Sequence, residues 1–330
     1  MAIRYILRRL GFFLVTLWAA LTINFFIPRL MPGNPAEAMM SRFKGRINPE
    51  ALHALEVAFG INSQESTFHQ YLDYLRDTVT GHFGISLTFF PVPVSTVVRQ
   101  ALPWTLGLVG ITTLLAFIFG TVIGIVAGWR RGGRLDSILP PVFVITSALP
   151  YFWVGLILIL VFSVWTNGAL PNDGGYDTAL TPGWNGQFVA SVLQHAVLPA
   201  VTLLIVSIGG WILTMRNNMV TTLAEDYVRM GRAKGLSNRR IMYDYAAHNA
   251  VLPNLAGFAM SLGFVVSGSI LVEFTFNYPG VGYMLLSAVS NEDFPLMQAL
   301  FVLITVVVLL AVLVCDFVTA ALDPRVRTEG

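Results

Sequence analysis

Few residues in this sequence have the types and spacing that chemistry requires. The two lysines, Lys44 and Lys234, stand in FKGR and AKGL, so there is no G-x-x-x-x-G-K-[ST] loop to hold ATP phosphates. The five histidines show neither H-E-x-x-H spacing nor a cluster, and no G-x-S-x-G element presents a nucleophilic serine. The single cysteine, Cys315, allows no internal disulfide and no cysteine-based metal site. The sequence therefore predicts no catalytic residue and no metal or cofactor site within this chain.

Two carboxylates stand within or beside apolar stretches. Glu273 ends one such stretch and Asp316 lies inside another. An acid in a membrane needs a partner that offsets the loss of its hydration, and it is a candidate functional group for that reason. We expect Asp316 to form a structural hydrogen bond or ion pair with a neighbouring span or subunit. We expect Glu273 to contribute to a gate on the outer side, with ordinary packing as the alternative.

The most polar stretch, residues 216–253, points to a different kind of function. It reads RNNMVTTLAEDYVRMGRAKGLSNRRIMYDYAAHNAVLP. Each charged residue would cost roughly 2.5–3.5 kcal/mol at the centre of a bilayer. The segment must therefore face water, because it carries six of the twenty Lys and Arg residues of the chain: Arg216, Arg229, Arg232, Lys234, Arg239 and Arg240.

Within this segment the sequence predicts a short helix over residues 222–235. Thr222 is placed to cap its start, and Glu225 three residues later would complete a capping box. Glu225 and Arg229 have the spacing of a helical ion pair. Gly235 follows Lys234 at the predicted end, as expected for a left-handed residue after a cation in the last turn.

The predicted helix also has an apolar stripe. Leu223, Tyr227 and Met230 recur at i, i+4 and i+7, which places them on one face. A loop that only connects two spans has no need of a capped amphipathic helix, so we interpret it as a docking helix for a cytosolic partner. The alternative is a solvated connecting loop. The predicted contact residues are Thr222, Leu223, Glu225, Asp226, Tyr227, Arg229, Met230, Arg232, Lys234 and Gly235.

The composition indicates a protein that crosses a membrane several times. Hydrophobic residues make up 55% of the 330 residues and charged residues only 12%, against about 25% charged in soluble proteins. Charge-free windows and the need for about 20 apolar residues per span predict an all-α protein with six transmembrane helices. These lie near residues 9–29, 104–128, 138–165, 195–216, 253–275 and 296–320. No removable signal peptide is evident, so we interpret the first window as a retained span.

Two further charge-free windows are not predicted to be transmembrane spans. Residues 78–98 contain glycines and prolines that would break a helix exposed to lipid, and residues 274–291 are interrupted by Pro279-Gly280. The rest of the second window predicts a short interfacial or external helix. Residues 30–103 would form a long external loop with amphipathic helices at 49–60 and 68–79. These helices would receive an external binding protein, cap the outer mouth or pack on the spans.

The positive charges predict the orientation. Lys and Arg residues cluster at both termini and in the loops 129–137 and 216–252, whereas the loops 166–194 and 276–295 have none. Short loops rich in positive charge remain in the cytoplasm. We therefore expect both termini and the 216–252 loop in the cytoplasm of a cell bounded by its plasma (inner) membrane.

Several motifs together resemble one family. The stretch EDYVRMGRAKGL followed by RR and HNAVLP is similar to the cytoplasmic signature loop of binding-protein-dependent ABC importer permeases of the peptide (dipeptide and oligopeptide) branch. The start of the chain, GHFGISL, LPYFWVGLILILVFSV, VEFTFNYPGVG and ALDPRVR also resemble that branch, so the resemblance covers essentially the whole chain. The wider superfamily has Glu-Ala-Ala where this sequence has Arg229, Met230 and Gly231, a departure that narrows the resemblance to the peptide branch.

The resemblance implies an organisation and a set of partners. It implies the type I ABC importer architecture, with residues 1–103 as the first span and external loop. Residues 104–330 would form a permease core of five spans that contains the coupling loop 216–252. The partners would be a second homologous permease, two ATP-binding subunits that hold ATP and magnesium, an external substrate-binding protein and membrane lipid, with no nucleic acid. ATP hydrolysis would then occur in the partners, and this chain would not be an enzyme.

Other functions stay open from the sequence. One is an ion- or proton-coupled secondary transporter, although such carriers place ionisable groups at mid-membrane and the first four predicted spans have none. A polytopic membrane enzyme is disfavoured because no nucleophile, base or metal cluster is visible. Within the ABC class the cargo could be peptides, nickel complexes, glutathione or oligosaccharides, and no residue in the sequence distinguishes them.

Overall fold

The computed structural model describes residues 3–30, 66–265 and 270–322, and regular structure in this part is helical. The helices, in chain order, are α1 (Ile3–Leu30), α2 (Thr67–Thr80), α3 (Val94–Trp129), α4 (Arg134–Ala148), α5 (Tyr151–Val164), α6 (Gly186–Thr222), α7 (Asp226–Ala233), α8 (Asn238–Arg240, Ile241–Ala247 and His248–Phe264), α9 (Ile270–Thr275), α10 (Val281–Ser290) and α11 (Phe294–Leu322). The only strand-like pairing among the described residues is an isolated antiparallel bridge between Ile85 and Pro93.

Length and hydropathy identify candidate membrane spans. Four helices within the described residues are long and apolar enough to cross a membrane, over Ile6–Ile27, Val94–Trp129, Gly186–Thr222 and Phe294–Phe317. Helices α4 and α5 would form a fifth span if taken together, with a bend of 94° between them. The span predicted at 253–275 includes residues 266–269, which lie outside the described residues. The count of six therefore stays a prediction.

Three predicted spans differ from the structure in their bounds. Helix α3 begins at Val94 and passes through Pro103, although the prediction began at 104. Its first turns extend the helix because Val97 and Ala101 are buried among apolar side chains, and a π-helical stretch follows the proline. Helix α6 begins at Gly186, where the Asn185 side chain accepts a hydrogen bond from the Phe188 amide.

The single predicted span over 138–165 is divided into α4 and α5. Pro150 occupies the N-cap position of α5, and Leu149 before it is extended, with ψ of 133°. A residue that precedes proline is pushed out of the helical region by a clash with the proline ring. The bend between the two helices therefore has a local covalent cause.

Among the described residues, those that fall within 1–105, 266–270 and 279–330 form one compact unit. Its core brings together the start of α3, all of α10 and the start of α11, through residues such as Val94, Val281 and Leu300, all fully buried. Helix α10 confirms the short helix that the sequence predicts after Pro279-Gly280. It is ten residues long and is buried on one side by α3 and α11.

The GHFGISL stretch is held in the same unit by a buried acid. Asp293 is fully buried and accepts hydrogen bonds from the Ser86 hydroxyl, from the Thr88 amide at 2.8 Å and from the Leu296 amide at 3.1 Å. Gly84 has φ of +76°, a conformation that side chains with a Cβ disfavour. The carboxylate thus closes a turn that the glycine makes possible.

The predicted amphipathic helix at 68–79 is confirmed as α2. Ser66 caps its start by accepting a hydrogen bond from the His69 amide, and Gly81 ends it in the left-handed conformation. The helix packs on α1, which confirms one of the three arrangements expected for it. The helix predicted at 49–60 lies outside the described residues.

A second compact unit contains residues 106–265 and 271–278. Its most extensive helix–helix interface is the one between α3 and α6. Gly120, Gly124 and Gly128 form the contact face of α3. A Cβ atom on Gly124 would lie 2.7 Å from the carbonyl oxygen of Ile212, and one on Gly128 would lie 2.6 Å from the Cβ of Met219. The two helices therefore approach as closely as glycine allows, along about two helical turns.

This close approach makes a testable prediction. Gly124→Ala should destabilise the protein by about 1–3 kcal/mol, because the added methyl group would overlap the Ile212 carbonyl oxygen and the Met215 Cβ of α6. Gly107→Ala on the same helix is the matched control. Apart from its own stretch of helix, no atom lies within 4 Å of the added Cβ. Thermal unfolding of the purified variants in detergent measures the difference. Equal stability of the two variants would show that α3 and α6 are further apart than the structure indicates.

Candidate functional site

The polar segment 216–253 contains one short separate helix between two long ones. Helix α6 continues to Thr222, α7 spans Asp226–Ala233, and α8 starts at Asn238. Ser237 caps α8 by accepting a hydrogen bond from the Arg240 amide. A short helix is therefore present as predicted, but with eight residues it is shorter than the predicted 222–235.

Its start was predicted wrongly. The N-cap residue of α7 is Glu225, in an extended conformation with ψ of 146°, and no side chain caps the helix. Thr222 instead belongs to the last turn of α6. Helix α6 runs this far because Met215 and Met219 near its end are fully buried against α8, and half-buried Leu223 packs against the same cluster.

The predicted stripe is also divided between two surfaces. Leu223 faces the interior, whereas Tyr227 and Met230 lie on the exposed side of α7, with 58% of Met230 exposed. The residues of α7 that turn inward are Val228, which is fully buried, and Gly231, whose added Cβ would meet the Tyr245 ring at 3.5 Å. Tertiary contacts thus leave two large apolar side chains of α7 in solvent.

The predicted pair between Glu225 and Arg229 is replaced by another. Arg229 lies 3.6 Å from Asp226, one turn away, with both side chains well exposed. Glu225 stands at the N-cap position with an extended backbone, outside the regular turns on which helical i, i+4 pairing depends. Exposed pairs of this kind contribute little to stability, so these charges are free to meet a partner.

The end of α7 agrees with the prediction. Lys234 is the C-cap and Gly235 follows in the left-handed conformation, with φ of +74°. The Leu236 amide then donates to the Gly231 carbonyl at 3.3 Å, which closes the helix end. Predicted residue Arg232 lies on the exposed surface of the last turn, as do Lys234 and Gly235.

One hydrogen bond fixes α7 to α8, and a second joins α8 to the end of α6. The Asn249 side chain of α8 donates to the Tyr227 hydroxyl at 3.0 Å, and Asn218 of α6 donates to the Ala250 carbonyl at 3.2 Å. These contacts hold α7 on α8 and, through α8, connect it to the end of α6. A force applied to α7 would therefore be passed to both long helices.

The sequence reasoning missed an ion pair at the same end of α6. Arg216 Nε lies 2.6 Å from Asp136 Oδ1, and the Gly132 amide donates to Asp136 Oδ2 at 2.9 Å. The Asp136 side chain is only 7% exposed. The sequence contained a signal for this pair. Asp136 is the one acid among three arginines in the loop 129–137, and Arg216 is the first charged residue after a long apolar run.

Both carboxylates noted in the sequence have neighbours in the structure. Asp316 Oδ2 lies 2.6 Å from Arg9 Nη1, which joins α11 to α1 and confirms the expected ion pair between spans. Glu273 is fully buried in α9, and its carbonyl accepts a hydrogen bond from the Tyr278 amide at 2.8 Å. Burial, and then the nearby Glu273, raise the pKa of Tyr278 to about 12. A gating role for Glu273 stays a prediction.

Comparison with known proteins identifies the class. The sequence pattern of the family described as "Binding-protein-dependent transport system inner membrane component" matches residues 120–328, which is more than half of the chain and includes α7. This chain belongs to that family. The permease is thus a multi-pass membrane protein, and the predicted all-α membrane architecture is confirmed.

Individual relatives extend the match to nearly the whole permease. It is 34% identical to the di/tripeptide transport system permease protein of Pseudomonas aeruginosa, over 98% of this chain and 99% of the relative. It is 31% identical to an oligopeptide transport system permease protein of Bacillus subtilis and 30% identical to the dipeptide transport system permease protein of Escherichia coli, with the same coverage. The resemblance to peptide-branch permeases, drawn from the motifs, is confirmed.

Proposed function

We propose that this permease is the membrane subunit of an ATP-driven peptide importer and that α7 is the contact through which ATPase subunits move it. The observation that carries the proposal is α7 itself, a separate helix with Tyr227 and Met230 exposed beside Arg229 and Arg232. A short helix that lays exposed apolar side chains into a groove is a recurring mode of protein recognition. The names of the three relatives support peptides as the cargo.

The proposed mechanism uses the helices on which α7 is held. The partners are a second homologous permease, two ATP-binding subunits that hold ATP and magnesium, and an external binding protein. Closure of the ATP-binding subunits would move one α7 from each permease. Because α7 is held on α8 and α8 is joined to α6, displacement of α7 would tilt the long spans and change the side to which the path opens. This chain supplies the path and hydrolyses no ATP.

Peptide uptake into vesicles tests this proposal. Vesicles containing this permease, the second permease and the ATPases, supplied with the binding protein, should accumulate peptide only when ATP is hydrolysed. Uptake by this chain alone, driven by an ion gradient, would favour a secondary transporter. ATP-driven uptake of nickel, glutathione or an oligosaccharide but no peptide would retain the ABC role and replace the cargo.

The orientation is part of the same proposal, with both termini and α7 in the cytoplasm. A cysteine at Asn172 should react with a membrane-impermeant maleimide added outside cells, whereas a cysteine at Asn238 should react only after the cells are opened. Replacement of the native Cys315 by alanine removes the background thiol. The opposite labelling pattern would overturn the orientation.

A further inference from the structure

Helix α2 has an exposed apolar surface that its packing on α1 does not cover. Phe68 is 66% exposed, Val79 is 86% exposed and Leu72 is 46% exposed. These residues share one side of the helix, next to the side where Tyr74 is buried. Large apolar side chains grouped in this way indicate a surface that meets another apolar phase.

The contacts of α2 with α1 fix its depth in the membrane. The hydroxyl of Tyr71 lies 2.7 Å from the hydroxyl of Thr22, and the Asn24 side chain donates to the Tyr74 hydroxyl at 2.9 Å. Both α1 residues lie inside the apolar span Ile6–Ile27, close to its end. At 1.5 Å per residue, Thr22 is about 8 Å inside that end. Helix α2 therefore crosses α1 at the boundary between acyl chains and headgroups.

A further contact shows which side of α2 faces outward. Arg29 lies beyond the apolar span, and its guanidinium donates to the Gln70 side chain at 3.2 Å while lying 3.6 Å above the Phe25 ring. Arg29 is seven residues beyond Thr22, which is about 10 Å along the helix axis. Gln70 thus marks the side of α2 that is turned to the headgroups, and Tyr71 marks the side turned to the bilayer interior.

The order of residues around α2 agrees with this direction. With about 100° per residue and Tyr74 as the origin, Tyr71 lies about 60° to one side and Gln70 about 40° to the other. Beyond Tyr71, at about 100–160°, come the apolar side chains of Leu75, Phe68, Val79 and Leu72. Beyond Gln70, at about 60–120°, come the polar side chains of Asp77, Asp73 and Thr80.

We infer that α2 lies in the membrane surface, with Phe68, Leu72 and Val79 in contact with the acyl chains of the leaflet at the C-terminal end of α1. Interfacial helices bury an apolar face about 5–10 Å into this boundary, which matches the depth set by Thr22. The polar face of α2 carries Asp73 and Asp77 against the single cation Arg76. Packing on α1, and not attraction to anionic lipid, therefore holds α2 in place.

Spin-label accessibility tests this inference directly. Single cysteines at Phe68, Val79 and Asp73, in full-length chains with Cys315→Ala, would be labelled with a nitroxide and reconstituted into phosphatidylcholine vesicles. Labels at Phe68 and Val79 should be relaxed several-fold more strongly by oxygen, which partitions into acyl chains, than by a water-soluble nickel chelate. The label at Asp73 is the matched control on the same helix and should show the reverse preference.

Other outcomes would overturn the inference. Equal access of the chelate to all three labels would place the apolar surface in water. Exclusion of both reagents from Phe68 and Val79 would mean that protein, such as another part of this chain, covers the surface. Repeating the measurement with added phosphatidylglycerol should leave the values unchanged, because a shift on addition of anionic lipid would show that charge attraction positions the helix. None of these outcomes depends on the transported cargo.

Discussion

Met230→Asp should reduce ATP-dependent peptide uptake by at least an order of magnitude without preventing insertion of the chain. Met230 is 58% exposed on α7, so a carboxylate at this position would stay in water and the fold should be retained. In a groove of an ATP-binding subunit, however, the charge would be buried without a partner. Loss of a central interface side chain typically costs about 2 kcal/mol or more, which is about thirtyfold in affinity. Uptake into vesicles, normalised to the amount of inserted permease, measures the effect.

The control for this prediction is Met230→Leu. Leucine preserves the volume and apolar character of the side chain, and the uptake should stay close to that of the parent. Gly235→Pro is a second variant that acts by a different route, since proline requires φ near −65° and Gly235 has φ of +74°. This variant should misplace the end of α7 and also stop uptake. Normal ATP-dependent uptake by both Met230→Asp and Gly235→Pro would refute the docking role.

Asp136→Ala should lower the free energy of unfolding by about 3 kcal/mol, because it leaves the guanidinium of Arg216 mostly buried without its carboxylate. This value is at the lower end of the usual cost of removing one partner of a buried ion pair, since the Arg216 side chain is still 24% exposed to water. The substitution also removes the carboxylate that accepts a hydrogen bond from the Gly132 amide, just before α4. Thermal unfolding in detergent should therefore show a clear fall in the midpoint.

Two further variants isolate the cause of this effect. Asp244→Ala removes one partner of a well-exposed pair, with Arg240 at 3.7 Å, and should change the stability by about 0.5 kcal/mol or less. Asp136→Ala combined with Arg216→Met should recover part of the lost stability, because no unpaired charge remains buried. If the double variant were as unstable as Asp136→Ala, the ion pair would not be the source of the loss.

Local sequence signals located the short helix α7 correctly but not its start or its exposed surface. Gly235 was recognisable as a helix end because only glycine takes the left-handed conformation without strain. Thr222 and Glu225 also matched a local capping pattern, yet α6 extends through Thr222. The buried packing of Met215 and Met219 lengthens α6, and that packing depends on residues of α8 that are distant in sequence. Capping patterns describe possible helix starts, and tertiary contacts select among them.

The sequence alone determined that this is an all-α membrane protein, and it predicted that residues 216–253 face water. These properties follow from the cost of placing charge in lipid, which depends on residue type and not on neighbours. The tertiary structure alone decided that Leu223 turns inward while Met230 stays exposed, and that Asp136 pairs with Arg216 eighty residues away. Such choices depend on which helices pack together, and no periodicity within a single helix contains that information.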